Sequence, residues 1–350
     1  MNFFTRWFKP STTESIEDSQ GAPENQPPNS SLLNSATHVT AHDLISLQQQ
    51  ARKLNLYQGS YASASTTGSH RSRFRGRGMD YQESRLYQAG DDIRNMDWRV
   101  TARAGKPHTK LYQEERELPV VLLVDFNLGM FFGSTNSLKS VVAAKTAALI
   151  AWAVASRGDR IGALLITEGD EAETHKELPP KMGKRGALQL IRELVTHSNP
   201  QKAMQTTGSH TSLNDQLKRL RHLAHPGTLV FLISDFYNID DETTQHLQRL
   251  SRHNDIQAIQ IIDPLEVTPP PPARYNVTDG ERSGILNTRS KKGRQHYQKF
   301  FNQHHRMVED LMSSHNIPLL QISTADDVLL TLQKNFGNSN KRSSVASRAA

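Results

Sequence analysis

The chain has 350 residues, 36% of them hydrophobic, with a mean hydropathy of −0.61, so one ordinary core with disordered polar segments around it is expected. It contains no cysteine, which excludes a disulfide framework, a thiolate zinc site and a cysteine nucleophile. Forty-two Lys and Arg against 35 Asp and Glu give a net charge of +7, which permits contact with nucleic acid or an anionic membrane without demanding it.

The opening MNFFTRWFKP has neither an uninterrupted apolar stretch nor a small-residue cleavage site, so no signal peptide is expected. Phe3, Phe4, Trp7 and Phe8 read either as a frayed terminus or as contacts to a membrane surface or a partner groove. Residues 1–40 form a disordered N-terminal segment by composition. Order is expected to begin at Thr40, an N-cap, with Leu44, Leu47, Ala51 and Leu54 at helical spacing. A Gly/Ser/Thr loop, Gly59–Ser69, follows. Residues 71–118 hold 11 Lys/Arg and eight Asp/Glu in 48 positions, a charged block with β patterning. Trp98, Val100 and Ala102 alternate with polar residues, Ala104–Pro107 reads as a turn, and His108, Lys110 and Tyr112 resume the alternation, which predicts a hairpin.

From Leu118 onward strands alternate with helices. Val120–Val124 is a short apolar run suited to the middle of a parallel sheet. Helix Leu138–Arg157 ends at Gly158. Strand Arg160–Thr167, helix Gly186–Thr196, a Thr211-capped helix to His222, strand Thr228–Ser234, helix Asp241–Arg252 and strand Ile256–Ile262 follow. Arg274–Thr278 and Arg282–Asn287, joined at Asp279-Gly280, predict an inserted hairpin. Helix Gln295–Ser314, strand Leu319–Ile322 and helix Ala325–Phe336 complete the pattern. This is a doubly wound, mainly parallel α/β sheet with helices on both faces. The expected divisions are 1–40, a helix and charged β-containing block at 41–118, the α/β domain at 119–336, and a flexible tail at 337–350. The nearest approach to a membrane span, Val141–Ala155, is interrupted by Lys145 and Thr146, so a cytoplasmic protein is expected.

In such a sheet the binding crevice lies beyond the carboxyl ends of the strands, where strand order reverses. Two predicted strands end in aspartate, Asp125 and Asp235. With nearby hydroxyl and amide oxygens they suit a hard cation such as Mg2+; alternatively each caps the loop after its strand. No phosphate-binding Gly-x-x-x-x-Gly-Lys-Ser/Thr loop and no His-Glu-x-x-His pair occurs; His304 and His305 are adjacent and diverge on a helix. No dinucleotide fingerprint is present either, because Gly76 and Gly78 follow no strand.

Ser72–Gly78, Arg85–Arg94, Asp97–Arg103, Glu114–Arg116, Val124-Asp125, Phe132-Gly133, Arg157–Arg160 and Ser234–Phe236 together closely resemble a bacterial family, domain of unknown function fifty-eight. The resemblance implies a Rossmann-like von Willebrand factor A domain. It also implies a non-catalytic adaptor that partners a MoxR-type AAA+ ATPase and acts on a client protein. Domains of that kind often carry a metal-ion-dependent adhesion site, Asp-x-Ser-x-Ser with a later Thr and Asp. Carried over, the site falls on Asp125, Asn127, Thr211 and Asp235. Asn127 and Gly129 stand where the serines would be, so the resemblance implies a degenerate site holding Mg2+ weakly or not at all. Such a crevice still serves as a docking surface, and Asp125→Ala is expected to abolish partner capture with the fold intact.

Arg85, Asp91, Asp92, Asp97, Arg103, Glu115 and Arg116 form a second group, structural or partner-binding, expected to orient the charged block. Arg71, Arg73, Arg75 and Arg77 alternate and would line one side of an extended segment. Pairing with Asp80, Asp91, Asp92 or Asp97 is the favoured reading, and phosphate contacts of a nucleic-acid-binding protein the alternative. A further alternative is a metal-dependent hydrolase at Asp125 and Asp235.

Overall fold

The computed structural model describes residues 36–56, 79–88, 90–114, 118–167, 174–201, 213–237, 239–278 and 283–337. In chain order the elements are α1 (Ala41–Ser46), α2 (Gln48–Ala51), β1 (Met79–Leu86), α3 (Trp98–Ala104), β2 (His108–Glu114), β3 (Pro119–Phe126), α4 (Lys139–Ser156), β4 (Arg160–Thr167), β5 (His175–Met182) and α5 (Gly183–His197). They continue with α6 (Leu213–Leu223), β6 (Leu229–Ser234), α7 (Asp241–Ser251), β7 (Asp255–Ile262), α8 (Pro264–Val267), β8 (Arg274–Thr278), β9 (Ser283–Asn287), α9 (Lys291–Ser314), β10 (Leu319–Ser323) and α10 (Val328–Phe336). Two compact units emerge, one within Met1–Ala62 and Pro119–Ala350, the other within Ser63–Leu118. The helix expected in the charged block, α1, is therefore part of the sheet unit.

The sheet unit is built on six strands in the order β10-β7-β6-β3-β4-β5. All neighbours are parallel except β5, which runs antiparallel to β4 at one edge. β3, PVVLLVDF, is buried from Val120 to Phe126, as an apolar run between two strands and two layers of helix must be. Alternate residues serve opposite faces. Val121 and Leu123 of β3 with Val230 and Leu232 of β6 pack with Leu217 and Leu220 of α6, Leu247 and Leu250 of α7, and Val308 and Met312 of α9. On the other face Phe231 meets Phe336 of α10 edge to face, 6.1 Å between ring centroids. There α4 packs on β3 and β4 and is flanked by α1, α2, α5 and α10. This is the mainly parallel, helix-covered α/β sheet that the sequence predicts.

α4 is long and apolar enough to cross a membrane by length and composition, and 83% of it is buried inside the fold. A helix apolar all round needs such complete cover. Part of that cover is α1, which opens on a capping box of Thr40 and Asp43 and whose Leu44 carbonyl accepts the Trp152 indole N–H at 2.9 Å.

Two elements of the sheet unit escape the sequence pattern. β5, HKELPPKM, carries two prolines and buries only Leu178, which an antiparallel edge strand tolerates and a central strand does not. α8 is a single turn with a capping box, Asp263 and Glu266, and Pro264 at its start.

In the smaller unit β1 pairs antiparallel with β2, Arg85 opposite Thr109 and Leu86 opposite His108. The hairpin expected across Ala104–Pro107 is therefore not formed: β2 pairs instead with 79–86, and Trp98–Ala104 is a helix. The Asp97 carboxylate accepts the Val100 N–H at 3.1 Å and starts it. Gly105, at φ +66°, ends it in the left-handed conformation that glycine adopts without a Cβ penalty. The alternation of Trp98, Val100 and Ala102 gives way to these two end signals.

Candidate functional site

β3 and β6 are neighbours at the point where strand order reverses: β4 follows β3 on one side, and β7 and β10 follow β6 on the other. The crevice of an open α/β sheet lies at the carboxyl ends of such a pair. Val124 is in register with Ile233, so Asp125 emerges beside Ser234 and Asp235 follows one residue further out. The β3–α4 loop, α8 and the start of α4 bring Asn127, Glu266, Asp263 and Lys139 to the same end.

The four carboxylates there are all bound within the chain. Asp125 accepts the Ser234 hydroxyl at 2.7 Å and the Asn127 N–H at 2.9 Å, one on each oxygen. Asp235 accepts the Lys139 ammonium on Oδ2 at 2.8 Å and the Tyr237 N–H on Oδ1 at 3.3 Å. Glu266 accepts the same ammonium on Oε1 at 2.8 Å and the Asp263 N–H on Oε2 at 3.0 Å. Asp263 takes the Leu265 N–H at 3.0 Å and the Ser134 hydroxyl on Oδ1, and the Ser134 N–H at 2.8 Å and the Thr324 hydroxyl at 2.7 Å on Oδ2. Every one of the carboxylate oxygens on these residues has a donor.

Lys139 is the centre of the arrangement, 2% exposed, with its Nζ also 5.5 Å from the Tyr237 ring centroid. Burial alone would depress its pKa, but the Asp235 and Glu266 carboxylates outweigh burial and hold it above the ordinary lysine range. Burial raises Glu266, against the pull of Lys139 and with the push of Asp235. Lys139 is also the first residue of α4, at the positive end of a helix, where a cation is unfavourable unless acids offset it.

The backbone around Asp235 is held from both sides. Phe236 has φ 59°, a conformation that costs a bulky residue on the order of 1–3 kcal/mol. The Ser234 hydroxyl accepts its N–H at 2.9 Å and its side chain is buried. His304 of α9 stacks on Tyr237, 3.9 Å between centroids, and lies 3.0 Å from the Asp235 carbonyl. A carbonyl only accepts, so Nε2 carries the proton. Burial pushes His304 down to about 4, so it is neutral at neutral pH.

Of the residues the sequence assigned to a cation site, Asp125, Asn127 and Asp235 do come together, and Thr211 lies outside the described residues. Mg2+ needs several available oxygen ligands, and here every carboxylate oxygen already accepts a protein donor, with the Lys139 ammonium on Asp235 and Glu266. The Asn127 Oδ1 is buried without a hydrogen-bond partner, but one neutral amide oxygen is not a Mg2+ site. Gly129, where the motif has a serine, lies over the pair: a Cβ there would be 3.2 Å from Asp235 Oδ2. The residues therefore do not fit a divalent cation, and both aspartates cap the loops after their strands, the alternative weighed above. Asp125 is also no neutral probe of docking, since Asp125→Ala strands two buried donors.

Sequence reading missed Lys139 and Glu266. Both had a signal: a lysine opening an otherwise apolar helix, and the Asp-Pro-x-Glu pattern of a capping box.

In the smaller unit Arg85 pairs with Asp91 at 2.7 Å, and Asp92 caps a short turn by accepting the Arg94 N–H at 3.0 Å. Asp97 takes the Ser84 hydroxyl at 2.8 Å; that bond and the Val100 N–H hold its pKa below the usual range. Arg103 is exposed on the last turn of α3. The structure joins Arg85 to Asp91 and leaves Asp92, Asp97 and Arg103 in separate roles. Glu115, Arg116 and the Arg71, Arg73, Arg75 and Arg77 stripe lie outside the described residues.

Curated proteins similar to this chain include uncharacterized protein Mb1516 of Mycobacterium bovis and uncharacterized protein Rv1480 of Mycobacterium tuberculosis. Each is 28% identical over 281 residues, 80% of this chain and 85% of its own length. Among solved structures, conserved hypothetical protein BatB from Bacteroides thetaiotaomicron is similar at 11% identity and TM-score 0.40, over 62% of this chain and 96% of its own. A von Willebrand factor type A protein from Catenulispora acidiphila is similar at 12% identity and TM-score 0.29, over 44% of this chain and 34% of its own. The family described as protein of unknown function DUF58 matches residues 83–307, well over half of the sequence, and the chain belongs to that family.

Proposed function

We propose that the chain is a non-catalytic protein-binding adaptor of the cytoplasm, partner of a MoxR-type AAA+ ATPase in the chaperone-like maturation or remodelling of a client complex. The observation that supports this reading is that the carboxylates at the switch point are buried and each of their oxygens already accepts a donor from the chain. Acid–base and metal-assisted chemistry need a group within reach of substrate, and these four side chains are buried. Asp125, Asp235, Glu266 and Asp263 instead brace the loops around them. What that bracing presents to solvent is the β3–α4 loop, with Phe132 44% exposed and Ser134–Asn136 exposed beside it. A rigid loop with an exposed aromatic at a strand-order reversal suits docking.

The test is a tagged pull-down from native lysate with nuclease-treated and EDTA-treated arms, comparing wild type with Phe132→Asp. An AAA+ ATPase recovered in the nuclease arm by wild type and lost by Phe132→Asp, with unchanged thermal melting, supports the adaptor. Nuclease-sensitive partners alone overturn it and move the function to the Arg71–Arg77 stripe.

A further inference from the structure

We propose that the Lys139 ammonium is a tethered cation standing where a divalent metal would have to sit, which closes this crevice both to the metal and to a partner carboxylate. The inference deepens the docking reading above by fixing what the crevice can recognise, and its metal half stands independently of any ATPase.

The ammonium lies 2.8 Å from Asp235 Oδ2 and 2.8 Å from Glu266 Oε1, bridging carboxylates from β6's end and from α8. Bridging of acids contributed by separate loops is what a bound divalent cation does in an oxygen-ligand site. Here the bridge is covalently part of α4. A metal would have to displace an ammonium that cannot leave and that is buried among its partners. Glycine at 129 brings the β3–α4 loop down over the Asp235 carboxylate, in place of a serine hydroxyl offering a ligand. A carboxylate brought by a partner would meet an ammonium already shared by two acids. Among the described residues, the one expected ligand with a spare group is Asn127, whose buried amide oxygen is an acceptor. Recognition at this crevice therefore proceeds without a metal and without a carboxylate from the partner.

The experiment is a Mn2+ titration of the full chain followed by electron paramagnetic resonance. Wild type is expected to show no saturable uptake up to about 1 mM, the weak end of the range for oxygen-ligand cation sites. Lys139→Ala vacates the ammonium position between two carboxylates and is expected to take up Mn2+ at least about tenfold more tightly. Saturable uptake by wild type that Asp235→Asn removes overturns the proposal. So does a folded Lys139→Ala protein that takes up no Mn2+. Should Lys139→Ala not fold, it is refolded with Mn2+ or methylammonium: recovery with either supports a cation requirement, and recovery with neither overturns it. ATPase capture is not read in this titration, so a chain that passes it and captures no ATPase refutes the adaptor reading alone.

Discussion

Replacing Lys139 by methionine keeps most of the buried stem and removes the charge. Asp235 Oδ2 and Glu266 Oε1, each 2.8 Å from the lost ammonium, are then left facing a common gap with no cation between them. Two buried carboxylates in that position do not both stay ionised. Keeping one protonated at pH 7, starting from the ordinary glutamate value of 4.5, costs about 3.4 kcal/mol at about 1.36 kcal/mol per pH unit. This agrees with the roughly 3–5 kcal/mol typical of removing one partner from a buried pair. The proton held by the variant's folded state has a pKa raised above its unfolded value. The stability linked to it is present at low pH and lost as pH rises. At pH 5 the same protonation costs only about 0.7 kcal/mol, so the deficit relative to wild type should shrink by about 2.7 kcal/mol between pH 7 and pH 5. Urea unfolding of both proteins at the two pH values reads this directly. A second substitution, Glu266→Gln in the Lys139→Met background, removes the surplus acid and should recover much of the loss at pH 7. A deficit of equal size at pH 5 and pH 7 would refute the ion-triad account, because a packing defect does not titrate.

Two other perturbations test the surroundings of the triad. Asp263→Ala removes the acceptor of the Ser134 N–H, the Thr324 hydroxyl and the Leu265 N–H; it should cost about 2–4 kcal/mol and speed amide exchange at Ser134, and unchanged exchange would show that the loop is held by something else. His304, neutral in the fold with a pKa of about 4 against an ordinary 6.5, binds its proton more readily in the unfolded chain. Stability therefore falls as pH drops from 6.5 toward 4, by about 3 kcal/mol from this residue; Glu266, raised in the fold, works in the opposite direction, and His305, lowered by burial, in the same one. His304→Gln keeps a donor for the Asp235 carbonyl and should flatten the slope in denaturant titrations over that window, whereas an unaltered slope would assign it to other groups.

The sheet was legible because each central strand is a contiguous apolar run with glycine or polar residues at its ends: PVVLLVDF, RIGALLIT and LVFLIS allow little else at this length. β5 was not, because an edge strand with one buried side chain carries neither the alternation nor the continuity that marks a strand. Trp98–Ala104 was misread for a related reason. In seven residues a period of two and a period of 3.6 share several positions, and the end groups Asp97 and Gly105 decide between them. The site was half legible. Asp125 and Asp235 were found because strand ends at a switch point are predictable from topology. Lys139 and Glu266 each carried a local signal, but their meeting depends on a contact across 127 residues that no local pattern encodes.

The choice between a metal and a lysine has a consequence for how the crevice behaves. A divalent cation is exchangeable, so a site that depends on one responds to its concentration and collapses into repelling carboxylates without it. A lysine supplied by α4 makes the arrangement unconditional, and its charge cannot be titrated away near neutral pH because two acids hold the proton on it. The arrangement also solves a local problem of the helix. The positive end of α4 would reject an ammonium, and Asp235 and Glu266 neutralise both the side chain and the helix terminus at once. The strained Phe236 backbone then has a reason to persist: relaxing it would swing the Asp235 carboxylate, fixed through Tyr237 N–H and beside the His304 hydrogen bond, away from the Lys139 ammonium that balances it. Strain, ion triad and histidine stack thus support one another, and together they fix the strand ends in a single geometry. On the proposed adaptor reading, this rigidity would leave the control of capture and release to the ATP-driven partner rather than to this chain.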